Sequence, residues 1–241
     1  MVDKLQFLSY NCKGLTDPSR AVAIKNWIRD NGFKFDAVCL QEIKCDGSSL
    51  SFNLKRINSS FSWFSSKHET GKGGTAIGIS RDIAKDVMNV ISNKEWVCIQ
   101  LGGELNVNLI SVYAPCSPRE RAKVWEDISS ITGNSIMCGD FNNVEFIEDR
   151  YLRSGYVLQG LEEVAWTNLA MTLDLTDVST DTGFSWTNKQ SGEHFRAARL
   201  DRVYFSEQSL ERWPIINCSL NKSILISDHY PLLSVKLILA R

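Results

Sequence analysis

Residues 135–143 read SIMCGDFNN, and the fold turns on how this stretch is read. Ser135–Gly139 has the composition of a strand buried on both faces. It stops on Asp140, Phe141 and Asn142. A carboxylate and an amide at the tip of such a strand are poor core material, but strand ends are where α/β sheets present groups to ligands. The same pattern recurs outward from this stretch. Leu5–Asn11 (LQFLSYN) alternates apolar and polar residues and ends at Tyr10-Asn11, and Asp36–Glu42 (DAVCLQE) ends at Gln41-Glu42. Val107–Tyr113 ends at Tyr113, Asp201 lies in the strand-like run Arg199–Phe205, and Ser227-Asp228-His229 precedes another at Leu232–Leu239.

The segments between these runs complete the architecture. Phe61–Ser65, Thr75–Ser80, Asp86–Ile91, Trp96–Leu101 and Thr182–Thr187 are β-branched or aromatic with turn residues between them, and are predicted strands. Asp17 or Ser19 caps a predicted helix with Ala21, Ile24, Trp27 and Ile28 on one face and Asn31-Gly32 as its stop. Glu120–Ile131 and Gly160–Leu173 carry helical spacing. Many strands with few helices predict two packed sheets with helices outside, an α/β sandwich. No repeat or low-complexity linker divides residues 1–241, which are expected to form one domain.

Composition narrows the function. Lys plus Arg (27) nearly cancels Asp plus Glu (28), and the pI is about 6.3. A protein that coats nucleic acid is far more basic, whereas brief engagement of a phosphate substrate needs only local patches. The seven cysteines include no Cys-x-x-Cys pair, which disfavours a zinc site. Cys12, Cys39 and Cys138 lie in apolar runs and read as packing residues, a usage that fits a reducing compartment. Trp27, Trp125 and Trp166 read as core. No leader-like segment opens the chain and no apolar run reaches membrane length, so the expectation is a soluble intracellular protein.

The strand-tip residues are carboxylates, amides, one tyrosine and one histidine, with no nucleophilic elbow. Gly71–Gly74 (GKGG) lacks the spacing of a phosphate-binding loop. Oxygen-rich groups suit a hard cation held by one or two carboxylates plus substrate phosphate, and a histidine beside an aspartate suits acid–base or charge-stabilising work. Metal-assisted phosphodiester hydrolysis is the reaction class these groups support. Each residue alone has a plainer reading: Glu42 as a solvated edge carboxylate, Asn11 as a turn former, Tyr113 as core. Their coincidence is what carries weight.

Six motifs, LSYNCKGL, VCLQEIK, VYAP, CGDFNN, ARLDRVYFS and ISDHYPL, come in the order and approximate spacing of the exonuclease–endonuclease–phosphatase superfamily, which the whole chain resembles. LQEIK and the LDR-then-SDH ending resemble the apurinic-type endonucleases and the related endonuclease domains of non-LTR (LINE-type) retrotransposons. NCKGL and the WTN after Ser185 are similar to the retrotransposon branch, of plant type. The resemblance implies a four-layered α/β sandwich with two packed, mostly antiparallel sheets flanked by helices. It also implies Mg²⁺, with Mn²⁺ as a substitute, and hydrolysis that leaves a 3′-hydroxyl.

Carried over by residue, Glu42 is the principal metal ligand with Asn11 beside it. Asp140 orients or deprotonates the attacking water, Asn142 holds the scissile phosphate, and Tyr113 donates to a phosphate oxygen. His229, oriented by Asp201, stabilises developing charge, and Asp228 supports the metal side or the leaving group. Lys189, Arg196, Arg199 and Arg202, with His194, resemble a hairpin that contacts DNA, and Lys67 and Lys72, with His68, form a second candidate contact. Three positions depart from the apurinic pattern: Lys13 stands where those enzymes carry an Asp, Cys116 follows VYAP in place of Asn, and Ala198 replaces a pocket-forming aromatic. Undamaged, deformable double-stranded DNA is therefore the expected partner.

The implied role is nicking of target DNA to prime reverse transcription, in the nucleus, by a domain of a longer polyprotein that includes a reverse transcriptase. The rivals are a cellular apurinic/apyrimidinic endonuclease, a phosphatase or deadenylase on the same fold, and a binding module that kept the fold.

Overall fold

Side-chain alternation along the buried strands sets the layering of the molecule. The structure, a computed structural model, describes residues 4–68, 71–153, 155–179, 183–213, 218–233 and 237–238. In chain order the elements are β1 (Lys4–Leu5), β2 (Phe7–Asn11), α1 (Pro18–Asp30), β3 (Ala37–Gln41), α2 (Gly47–Ile57), β4 (Ser62–Ser65), β5 (Thr75–Ile79) and α3 (Arg81–Ala84). The middle of the chain supplies β6 (Val87–Ser92), β7 (Trp96–Leu101), β8 (Val107–Tyr113), α4 (Pro118–Ile128) and β9 (Ser135–Asp140). They are followed by α5 (Gly160–Thr172), β10 (Leu175–Asp177), β11 (Trp186–Thr187), β12 (Ala197–Ala198) and β13 (Asp201–Ser206). The last are α6 (Glu207–Arg212), β14 (Ser219–Leu220), β15 (Leu232–Leu233) and β16 (Leu237–Ile238).

Two six-stranded sheets result, ordered β14-β15-β2-β3-β5-β4 and β10-β13-β9-β8-β7-β6. Each is antiparallel except for one central parallel pair, β2–β3 in the first and β8–β9 in the second. A parallel pair needs a crossover, which α1 and α4 provide. In both pairs the two strands therefore end at the same edge, with Asn11 opposite Gln41 and Tyr113 opposite Asp140.

Parity does the rest. Phe7, Ala37, Cys39, Leu109, Ile136, Cys138, Val203 and Phe205 fill the slab between the sheets. Leu8, Tyr10, Val38 and Leu40 face outward against α1 and α2, and Ile110, Val112 and Met137 face α4 and α5. Continuing each inward stripe by one period places Asn11, Gln41, Tyr113, Asp140 and Asp201 at the end of the slab. Beneath that edge Gln41 Nε2 donates to Ser9 Oγ (3.3 Å) and, across the slab, to Ser111 Oγ (3.1 Å), which also meets the Thr75 hydroxyl. Gly139 (φ +144°) lets β9 approach β8 closely, since a Cβ there would stand 2.0 Å from the Val112 carbonyl oxygen.

The sandwich has the expected four layers, and most elements match to within a few residues. Asp17 is the cap of α1, its side chain accepting from Ser19 N at 2.9 Å, with Pro18 opening the helix. Trp27, Trp125 and Trp166 are buried as expected. One helix was not anticipated and two corrections arise. The Ser-rich segment Gly47–Ile57 is a helix that buries Leu50, Leu54 and Ile57, although Gly47 and three serines in its first half hide the periodicity. The run expected at Leu232–Leu239 divides between β15 and β16, which belong to different sheets, with 234–236 and 239 outside the described residues. Of the strand expected at Thr182–Thr187 only Trp186–Thr187 is extended, and 182 lies outside the described residues. Among the described residues no helix is long and apolar enough to cross a membrane.

Candidate active site

Left-handed backbone turns mark the strand tips at one edge of the sandwich. Lys13 (φ 54°) follows β2, Glu42 and Lys44 (both φ 55°) follow β3, and Asn142 (φ 49°) follows β9. Such conformations cost about 1 kcal/mol or more for residues with a Cβ and persist where the surroundings enforce them. Here they are enforced by hydrogen bonds. Lys13 N donates to Asn11 Oδ1 (3.0 Å), Lys44 N to Gly73 O (2.9 Å), and Asn142 N to Asp140 Oδ1 (3.0 Å).

At the centre lies a chain of buried polar groups. Asn11 Nδ2 donates to Asp140 Oδ2 at 2.8 Å and lies 3.4 Å from His229 Nε2. His229 Nε2 is 3.7 Å from Asp140 Oδ2, and its Nδ1 is 2.7 Å from Asp201 Oδ2. Asp201 reaches this point because β13 runs antiparallel to β9 with Asp201 opposite Asp140. Ser185 Oγ accepts from Asp201 N at 2.9 Å and fixes the start of β13. His229 is brought in by the segment before β15, whose backbone is stitched to β11: Thr187 N donates to Asp228 O, Tyr230 N to Ser185 O, and Trp186 bridges His229.

Electrostatics follow from burial. Burial pushes the Asp140 carboxyl up to about 7, against the opposing pull of the His229 charge. Burial alone would lower His229, but the Asp201 and Asp140 carboxylates outweigh it and raise the imidazole to about 9. Tyr113 is driven well above the usual phenol range by burial and then by the negative charges of Glu42, Asp140 and Asp228, so it remains a donor. Its ring stands against Gly73, where a Cβ would lie 3.3 Å away, and lines a cavity of about 350 Å³ with His68, Lys72, Gly74 and Lys94.

Of the proposed metal ligands, Glu42 and Asp228 lie at the rim and Asn11 is buried just beneath it. Glu42 is 14% exposed and pairs with the Lys44 ammonium. Among the described residues Asn11 Oδ1 accepts one backbone N–H, that of Lys13, and a carbonyl oxygen has a second lone pair to offer. Asp228 Oδ2 accepts from Lys13 Nζ at 2.8 Å and from Trp186 Nε1 at 3.4 Å. A rim carboxylate and an amide oxygen fit one hard divalent cation that keeps several waters. One ligand atom from each of Asp140, Asp201 and His229 also falls within 4.8 Å of the others. The hydrogen bond that commits His229 Nδ1 to Asp201, with Nε2 3.7 Å from Asp140, suits proton and charge handling better than ligation.

The structure gathers Asn11, Glu42, Tyr113, Asp140, Asn142, Asp201, Asp228 and His229 at one edge. Asn142 donates through Nδ2 to Ala114 O at 2.7 Å, so its amide is tied to the end of β8. Two of the candidate DNA contacts require correction. Arg199 and Arg202 are buried, 4% and 0% exposed, and lie in an ion-pair cluster with Asp149, Asp177 and Glu145. A buried guanidinium paired with internal carboxylates is structural and cannot reach a duplex. Lys67, Lys72, Lys189 and Arg196 are exposed, as is the neighbouring His194, with Lys189 Nζ resting 3.1 Å from Leu225 O and Arg196 on its own hairpin's carbonyls. The sequence reading missed the partners of the rim carboxylates, Lys13 and Lys44. The signal for Lys13 was its position two residues after Asn11, where the resemblance calls for an acid.

Comparison with solved structures supports the same fold. An AP endonuclease from Archaeoglobus fulgidus superimposes with a TM-score of 0.74 over 97% of this chain and 99% of that one, at 16% identity. AP endonuclease LMAP from Leishmania major gives 0.73 at 14% identity, over 99% and 89% of the two chains. A 3′-5′ exonuclease from Neisseria meningitidis gives 0.71 at 18% identity, over 95% and 98%. No curated protein sequence matches the chain. Residues 8–229 match the model of the Endonuclease/Exonuclease/phosphatase family, and the chain belongs to that family as a metal-dependent phosphodiesterase.

Proposed function

We propose that the protein is a Mg²⁺-dependent DNA endonuclease that nicks one strand of undamaged duplex. Its 3′-hydroxyl product would prime target-primed reverse transcription by a non-LTR retrotransposon, with the domain acting in the nucleus as part of a longer polyprotein that carries the reverse transcriptase. The observation that carries the substrate choice is Ala198. It is 4% exposed and paired with Trp186 in the β11–β12 hairpin, so this position offers no aromatic wall to a bare sugar. The resemblance of NCKGL and WTN to the retrotransposon branch supports the biological role.

In this reading Glu42 and Asn11 hold the cation, which supplies charge compensation at the scissile phosphate. Asp140 accepts the proton of the attacking water as its oxygen bonds to phosphorus and the bond to the 3′ oxygen breaks. The departing oxygen takes its proton from solvent at the open rim. His229, kept cationic by Asp201, faces the charge that develops on the phosphoryl oxygens, and Tyr113 and Asn142 position the phosphate.

The test is nicking of supercoiled plasmid in Mg²⁺, followed by cleavage of matched abasic and undamaged duplexes. A nicked plasmid that Glu42→Ala leaves at least ~100-fold less cut supports the proposal. A closed plasmid points to a small-phosphate substrate. An abasic duplex cut a hundredfold faster than its undamaged match points to a repair endonuclease.

A further inference from the structure

Lys13 occupies an unusual place for a cation. It lies two residues past β2, in a left-handed turn (φ 54°), among the site's acidic groups. Its backbone N–H fixes Asn11 Oδ1 (3.0 Å) while its ammonium grips Asp228 Oδ2 (2.8 Å), joining the tip of β2 to the segment that carries His229. The side chain of Lys13 is 46% exposed and that of Asp228 22%, so the pair faces the rim where substrate must arrive. Asp228 has little left to offer: Oδ2 also takes the Trp186 indole N–H at 3.4 Å, and Oδ1 lies 3.5 Å from Ser227 Oγ. Asp140 and Asp201 are committed to Asn11, Asn142 and His229. Glu42 pairs with the half-buried Lys44 ammonium, without the added indole and hydroxyl contacts that tie Asp228 in place.

We infer that the Lys13–Asp228 ion pair stands in place of a second metal site, so that the centre binds a single divalent ion at Glu42 and carries its other positive charge as a resident ammonium. The inference rests on the reading of the site as a metal-dependent phosphodiesterase. One hard ion with one carboxylate is ordinary when substrate phosphate completes its shell. A fixed ammonium beside it costs no reorganisation when charge builds on the substrate. No proton leaves Lys13 in this scheme, and it acts by charge alone.

The experiment is a titration of the 241-residue chain with Mn²⁺, following the electron paramagnetic resonance signal of free ion. The wild type should hold one ion per chain. Lys13→Asp should gain a second, because it restores an acid opposite Asp228. Lys13→Gln should keep one ion at an affinity within about threefold while plasmid nicking falls ~100-fold, and Lys13→Arg should recover most of that loss. Two ions on the wild type, no second ion on Lys13→Asp, or unchanged nicking by Lys13→Gln would each overturn the inference. Because the ion count needs no DNA, one ion per chain with an uncut plasmid would remove the endonuclease reading and leave the single-ion assignment standing.

Discussion

His229 Nδ1 and Asp201 Oδ2 lie 2.7 Å apart although 28 residues separate them, and both side chains are almost wholly buried. The contact holds the ring in one orientation and aims Nε2 at Asp140. Asp201→Asn keeps the shape and removes the charge. The imidazole should then titrate well below its wild-type value of about 9, and nicking should drop by two to four orders of magnitude, the range seen when a histidine loses its orienting carboxylate. Nuclear magnetic resonance titration of the ring carbons in chelator, alongside plasmid nicking, checks both.

The pH profile of cleavage should be bell-shaped. A carboxylate at Asp140 is needed to take a proton, and it is lost as pH falls through about 7. An imidazolium at His229 is needed to meet negative charge, and it is lost as pH rises through about 9. The two groups lie 3.7 Å apart, so the two limbs belong to the pair. Single-turnover rates between pH 5 and pH 10 test this, and Asp201→Asn should pull in mainly the alkaline limb. A rate that keeps rising up to pH 10 would remove the imidazolium from the mechanism.

Gly139→Ala should destabilise the fold by ~3 kcal/mol or more, because the added methyl meets the Val112 carbonyl oxygen at 2.0 Å and the backbone is left-handed there. The damage falls on the β8–β9 pair, which carries Tyr113 and Asp140. Equilibrium denaturation in urea measures it, and a loss under 1 kcal/mol would show that β9 can shift without cost.

The arginines and lysines of the hairpin region should separate into two classes. Arg202→Leu leaves Glu145 and Asp149 facing a hydrocarbon in a buried setting, a change worth roughly 3–5 kcal/mol. Lys189→Ala and Arg196→Ala should leave stability within ~0.5 kcal/mol. Each should also lower the slope of log affinity against log salt by about one for duplex DNA. Melting curves and salt-dependent fluorescence anisotropy distinguish the classes.

Much of this site is legible in the sequence because period-two alternation is a strong signal and polar residues at the inward-facing ends of apolar strands stand out. Asn11, Gln41, Tyr113, Asp140 and Asp201 all have that form, and the parallel crossovers bring their strand ends together. What alternation cannot convey is the partner of a charge. Arg199 and Arg202 look like surface cations in a basic stretch, yet β13 buries Arg202 on its other face against carboxylates more than twenty residues away in sequence. Helix α2 escaped for a different reason: Gly47 and its serines have weak helical preference, and its packing against α1 supplies what propensity does not.

The reacting groups ride on two facing sheets, Asn11 and Glu42 on one and Tyr113, Asp140 and Asp201 on the other, with the filling of the slab between them as the spacer. Trimming a methylene from Ile99 or Ile136 in that filling should therefore slow bond cleavage at temperatures where the protein is still fully native. Turnover would then act as a strain gauge for the interior, registering small losses of thickness before any melting curve does.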